Sequence, residues 1–179
     1  MHRFASEFID KKILLKHEGM IAGVVEEVII NPENGDFLGL VVRVSTKKRE
    51  YLVVPEKDIQ GINREYVLIK NADVLAEENE VVRIKSARDQ RIQIEKNKVY
   101  TVSNYYLGRV NDYTIDLISA KLSRLYIQPT GISKLARCQI IEAKRIVSIK
   151  KNRITVDDSV ASLKEKKVIK SVVVRSESN

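Results

Sequence analysis

The sequence predicts an all-β protein built as two small barrels in tandem, with short helical turns between the strands. Three observations carry that reading. The apolar residues are mostly Val, Ile and Leu, with no Trp and only three Pro in 179 residues, a β-branched bias that suits pleated, half-buried strands. Short apolar runs alternate with turn signals about every 8–12 residues, the spacing of a barrel or sandwich. The chain is also written twice. Lining up Gly23 with Gly108 sets GVVEEVII over GRVNDYTI, and lining up Ile59 with Ile146 sets IQGINREYVLI over IVSIKKNRITV without a gap. The offset moves from 85 to 87 residues between these anchors, a drift that loop insertions absorb.

Taken in order, SEFIDKK forms one helical turn leading into a strand at Ile13–Leu15. Val24, Glu26 and Val28 then alternate with Val25, Glu27 and Ile29 before the run turns wholly apolar, and Leu38, Leu40 and Val42 alternate with Gly39, Val41 and Arg43. Between them lies NPENG, where Pro32 fixes φ early and Gly35 is free to take a positive φ, so the segment is a β-hairpin. The acids around it, Glu26, Glu27, Glu33 and Asp36, raise the question of a metal or phosphate loop. A calcium loop alternates acidic oxygens over about 12 residues between helices, and a phosphate loop has more glycine and a following helix. Here the flanks are Val/Ile runs and FLGLVV is a strand, so no metal is expected. Glu26 and Glu27, as neighbours on a strand, should point to opposite faces.

The segment NADVLAEENEVVRIKSARDQR has helical propensity around Val74–Glu80, and Ser86–Arg91 reads as a linker. The second copy opens on NKVYTV, continues as a hairpin YTIDLISAKLSRLYI with its turn near Ser119–Ala120, and ends with a tight turn at IKKNRI. The expected organisation is a first barrel at 1–85, a linker at 86–91, a second barrel at 92–160 and a basic tail at 161–179.

Little in the composition points to catalysis. The two histidines, His2 at a frayed terminus and His17 in a turn, have no companion at metal-ligand spacing, and no Gly-x-Ser-x-Gly or Walker-type stretch occurs. Asp157-Asp158 ends a strand, as Asp commonly does. The lone Cys138 sits in ARCQII and is expected to be a small buried hydrophobe. No enzyme activity, metal or cofactor is expected. MHRFASEFIDKK is interrupted by Glu7 and Asp10 and has no signal-peptide core, and no stretch approaches the roughly 20 apolar residues of a membrane helix, so the chain reads as cytoplasmic.

The charge is uneven. Residues 1–85 carry 13 Lys+Arg against 15 Asp+Glu, whereas residues 86–179 carry 19 against 9. A basic half points to an anionic partner. The candidate contact residues are Lys144, Arg145, Lys150, Lys151 and Arg153 in the basic hairpin, with Arg109, Lys121 and Arg124, and also Lys134 and Arg137, near the tyrosines in the chain. Five of the seven tyrosines, Tyr100, Tyr105, Tyr106, Tyr113 and Tyr126, fall in the same half. Tyr105 and Tyr106 are the candidates for stacking, since aromatic and basic side chains on a sheet are a common RNA-binding combination. Barrel packing with the hydroxyl at the rim is the competing role for these rings. The tail's VIKSVVV has strand character and is expected to pack along an edge or to pair with a partner.

ASEFIDKKI, the hairpin GVVEEVIINPENGDFLGLVV, LVVPEKDI and a closing strand together resemble the PRC-barrel family. KVYTVSNYYLGRVNDYTID matches its opening again, with Leu107-Gly108, Val110 and Asp112 in place. The resemblance spans roughly residues 5–75 and 92–160. Asp10 stands where the family usually has glycine, Ile141 falls where the first copy has Pro55, and the second hairpin lacks the Asn-Gly turn. Members resembling this chain include the cytoplasmic domain of the photosynthetic reaction-centre H subunit, the C-terminal domain of a bacterial ribosome maturation factor and archaeal division proteins. The resemblance implies a non-catalytic module that docks on other macromolecules. A protein partner is the first expectation, RNA or the ribosome the second, and a membrane surface the third.

Overall fold

The computed structural model describes residues 1–44, 50–129 and 138–160. Its elements run β1 (His2–Phe4), β2 (Lys12–Leu15), β3 (Met20–Ile30), β4 (Phe37–Val44), β5 (Glu50–Pro55), β6 (Ile59–Ile62), β7 (Tyr66–Ile69) and helix α1 (Val82–Asp89). They continue with β8 (Lys98–Thr101), β9 (Tyr106–Asp116), β10 (Lys121–Gln128), β11 (Gln139–Glu142), β12 (Ile146–Lys150) and β13 (Arg153–Val156). The protein is mostly β, as expected, with two sheets. One has the order β5-β4-β3-β2-β7-β6, the other β11-β10-β9-β8-β13-β12, with β1 added beside β9. In each sheet the two outermost strands are consecutive in the chain and joined by one 3-10 turn, Glu56–Asp58 or Ala143–Arg145. So short a link between opposite edges requires each sheet to curl.

The repeat seen in the sequence is reproduced pair by pair. β2 and β7 run parallel, as do β8 and β13. Ile59 pairs with Ile69 and, 87 residues on, Ile146 pairs with Val156. A Cβ on Gly23 would meet the Arg43 carbonyl and Val42; one on Gly108 would meet the Gln128 carbonyl and Ile127. These partners also lie 85 residues apart, so the two glycines hold the same close crossing between strands. Asp10 has φ 64°, and Lys96 in the second copy has φ 62°. Both copies therefore hold a non-glycine residue in a left-handed conformation at this point.

Pro55 and Ile141 are not equivalent. Both Pro55 and Glu142 precede the 3-10 turn in extended conformation, while Ile141 pairs with Leu125 as Val54 pairs with Leu40. The offset has already reached 87 residues here, so the counterpart of Pro55 is Glu142 and that of Ile141 is Val54. The hairpin turns are where they were expected, with Gly35 at φ 74° and Ala120 at φ 49°.

The two barrels meet through those turns. Asp36 bridges Lys121, the Phe37 N–H donates to the Ala120 carbonyl at 2.8 Å, and the Leu122 N–H donates to the Gly35 carbonyl at 2.8 Å. At the 85-residue offset Asp36 faces its own equivalent, while Phe37 and Gly35 each face the equivalent of the other. That is the self-complementary pattern of a two-fold contact, built here within one chain. Phe37 packs on Phe8 with ring centroids 5.8 Å apart. One apolar cluster runs from Ile13, Val25 and Leu40 through Phe37 to Leu107, Ile115 and Leu125. Ser6 adds a hydrogen bond from its Oγ to Asp112 at 2.6 Å.

Four expectations need correction. The helix lies at Val82–Asp89, later than Val74–Glu80, where only short 3-10 turns form. Four residues of the expected linker, Ser86–Asp89, therefore belong to α1. The helix forms because it has a face to bury: Ile84 (1% exposed) and Ala87 cover Ile29, Leu38, Val41 and Val53, and one such Ile contributes about 1.5–3 kcal/mol. His2 is not frayed but lies in β1, opposite Asp116. There the Asp116 carboxyl accepts the Ile118 N–H and lies 3.0 Å from the Met1 amino group, which together hold its pKa at about 2. Cys138 is exposed, because it precedes β11 and does not share that strand's inward face. Finally, a β-bulge at Glu26 shifts the register between Val25 and Glu27. It breaks the alternation, so both carboxylates line one cleft.

Candidate anion-binding face

The strand register assembles a row of cations that the linear sequence does not show. Lys150 stands opposite Arg153, Arg153 opposite Lys98, and Lys98 opposite Arg109. Directly opposed residues point to the same face of a sheet. The next row, Ile149, Ile154 and Val99, is buried, so the cations lie on the outer face. At a strand spacing of about 4.8 Å the four span roughly 14 Å. Lys151 extends the row at the exposed β12–β13 turn.

These charges are positioned without being neutralised. The Arg153 guanidinium lies over the Tyr100 ring, 4.2 Å from its centroid, and donates to Asn104 Oδ1 at 2.9 Å. Arg109 donates to the Lys96 carbonyl at 3.1 Å. Among the described residues, none of the four cations has a carboxylate within salt-bridge distance. The corresponding positions of the first barrel hold Asn63, Tyr66, Lys12 and Val24. The row therefore belongs to the second copy alone.

The other candidates fall elsewhere. Lys121 pairs with Asp36 at 2.8 Å and Lys144 with Glu142 at 2.6 Å; both line a cleft of about 310 Å³ against the NPENG turn. Arg145 reaches Asp157 at 3.4 Å, and Arg124 stands opposite Glu142 across β10–β11. Each of these is matched with an acid. Lys134 and Arg137, and the tail's VIKSVVV, lie outside the described residues. Tyr106 packs on Tyr100 with centroids 5.1 Å apart. Tyr105 is exposed just before β9, so the two candidate stacking residues do not form one platform. Sequence reasoning overlooked Lys98. Only the parallel β8–β13 pairing brings it beside Arg153, and that register leaves no local signal.

A second concave feature, a cleft of about 390 Å³, opens between β3, α1 and the segment entering β8. Its charges are largely internal pairs: Glu26 with Arg43, and Arg88 with both Glu78 and, at 3.3 Å, Glu27. Burial, then the nearby Asp112, raises the Glu95 pKa, and burial pushes the Tyr113 hydroxyl well up. Among the described residues no group of three His, Cys, Asp or Glu side chains is placed to hold a metal ion, and no helix is long and apolar enough to cross a membrane.

The family model of the PRC-barrel domain matches residues 1–82. The first barrel is thus a PRC-barrel domain, while the second β domain is not assigned by that model. No curated protein matches the chain.

Proposed function

We propose that this protein is a non-catalytic docking module for a protein or ribonucleoprotein assembly. In this reading the second barrel is another PRC-type copy whose outer face meets an anionic partner. Support for the second copy is the shared element order, the matched parallel pairs and the two-fold contact between the hairpin turns. The observation that carries the function is the Lys150–Arg153–Lys98–Arg109 row. Like charges placed directly opposite one another on a sheet destabilise it, and among the described residues no carboxylate pairs with them to offset that. An anionic partner would turn that cost into binding.

RNA phosphate is the second reading, favoured by exposed Tyr105, which follows in the chain the Asn104 that Arg153 contacts, since bases stack on free aromatic faces. Anisotropy titration of a labelled single-stranded RNA, from about 50 to 200 mM salt, tests it. If RNA is the partner, Lys150→Glu/Lys151→Glu lowers the salt slope by roughly 1.4, at about 0.7 per phosphate contact. No RNA binding at low salt, with retained binding of an acidic polypeptide, moves the face to a protein partner. Binding of neither rejects the anionic-partner reading.

A further inference from the structure

The cleft between β3, α1 and the segment entering β8 lies between equivalent parts of the two copies. The Lys11 N–H donates to the Phe8 carbonyl at 3.2 Å and, 86 residues on, the Asn97 N–H donates to the Ile94 carbonyl at 3.3 Å, so Glu95 is the counterpart of Ile9. Val28 stands opposite Leu40 as Tyr113 stands opposite Leu125, so these two correspond as well. Both members of each pair line the cleft. Its walls match in position but differ in chemistry: the first copy offers Ile9 and Val28, the second a carboxylate and a phenol. The contact beside it is also one-sided. Ser6 donates from its Oγ to Asp112 at 2.6 Å, whereas Ile92, at the corresponding place, has no hydroxyl to offer Glu27, and Glu27 pairs with Arg88.

Two groups in this cleft are left without a partner. Tyr113 is only 4% exposed, yet its hydroxyl has no hydrogen-bond partner among the described residues, a state that buried polar groups rarely keep. Unlike the unpartnered Oγ1 of Thr114, this oxygen is not sealed in; it opens on the cleft that Tyr113 lines. Glu95, exposed on the same wall, has no cation within salt-bridge distance among the described residues. The other acids of the lining are matched, Glu26 with Arg43 and Glu27 with Arg88. After burial, the charges that act on the Tyr113 hydroxyl are Glu95, Asp112 and Glu27, all negative. Arg91 also lines the cleft but is exposed and is not among those charges, so the end at Tyr113 is electronegative. Among the described residues no three acids or other ligands are placed to hold a metal ion, and buried Val28 and Ile94 make the adjoining wall apolar.

We propose that this cleft binds a primary ammonium group carried on a short alkyl stem. Glu95 and the Tyr113 hydroxyl oxygen accept its N–H bonds, and Ile9, Val28 and Ile94 pack on the stem. An ammonium has three donors and no acceptor, which suits two acceptors on one wall, and about 390 Å³ is within the usual range of small-ligand sites. A free alkylamine and a lysine side chain of a partner protein both supply that chemistry. The site shares no residue with the Lys150–Arg153–Lys98–Arg109 row, so the anionic-partner reading stands or falls apart from it.

Titration of the isotope-labelled full chain with n-butylammonium, followed by amide NMR at constant ionic strength, tests the proposal. Saturable shifts are expected at the amides of Glu95 and Tyr113. n-Butanol, of the same length but uncharged, binds at least about tenfold more weakly, since hydrogen bonds to a charged group are the stronger ones. Glu95→Gln weakens n-butylammonium binding by about tenfold or more, and Tyr113→Phe, which keeps the ring in the core, by roughly two- to tenfold. Nα-acetyl-lysine methylamide separates the two sources: tighter binding than n-butylammonium assigns the site to a partner's lysine, weaker binding to a free amine. The proposal is overturned if neither amine gives saturable shifts, if n-butanol binds as well as n-butylammonium, or if Glu95→Gln binds n-butylammonium as the wild type does.

Discussion

Replacing Phe37 with Ala separates a two-barrel chain that melts as one unit from a pair of independent domains. Phe37 is 4% exposed, packs on Phe8, and begins the strand that bonds to Ala120 across the two-fold contact. Truncating a buried Phe costs about 3–5 kcal/mol through lost transfer energy and the cavity left behind, a large share of a typical total of about 5–15 kcal/mol. For a chain of this size each kcal/mol moves Tm by roughly 2–4 °C, so the expected fall is about 6–20 °C. Because the apolar cluster is continuous through both barrels, the whole molecule should shift. The chain supplies a convenient probe. Five of its seven tyrosines lie in the second barrel and it has no Trp, so tyrosine fluorescence follows that barrel while far-UV circular dichroism follows both. The two signals should move together in the variant and remain coincident. A wild-type melt with two separate transitions, or a fluorescence midpoint untouched by Phe37→Ala, would refute the continuous core.

Three further outcomes are expected. Lys96→Gly should stabilise the protein by roughly 0.5–1 kcal/mol in urea denaturation, since Lys96 occupies a left-handed conformation that favours glycine; an unchanged or lower midpoint argues against strain there. Gly39→Ala should cost about 3 kcal/mol or more: φ is 145°, and a Cβ would lie inside contact distance of the Val54 carbonyl and 3.0 Å from Pro55 Cα. A melt within a degree or two of wild type would be inconsistent with that crossing. The hydrogen bond from Lys121, with Arg83 also nearby, holds the Asp36 carboxyl below its usual value. A depressed carboxyl adds stability that is fully present above the unfolded pKa of about 3.9 and is lost as pH falls through the lower folded value. The stability gap between wild type and Asp36→Asn should therefore be constant near neutrality and shrink below about pH 4; a gap that widens in acid contradicts the pairing.

Much of the fold was legible because its causes are local. Alternating Val and Glu, the NPENG turn and the tight IKKNRI turn act over a few residues, and the recurrence of Gly23 as Gly108 exposed the duplication. What α1 needed was not local. Its own propensity is modest, and it forms at Val82–Asp89 because Ile29, Leu38, Val41 and Val53 offer a face for Ile84 and Ala87. The same distinction explains Glu26 and Glu27: period-two alternation predicts opposite faces, and one bulged residue undoes it.

By itself the sequence determined the β class, the two copies, the order of strands and turns, and a second half rich in unmatched positive charge. Those properties follow from side-chain period, turn chemistry and composition, which any short window carries. Only the tertiary structure decided which cations remain free. Lys121, Lys144 and Arg145 are drawn into ion pairs by acids distant or adjacent in the chain, while a parallel pairing of the copy's first and last strands sets Lys98 between Arg153 and Arg109. The two-fold meeting of the hairpin turns was likewise decided in three dimensions, because strand register and barrel contact depend on residues that are neighbours only after the chain has closed on itself.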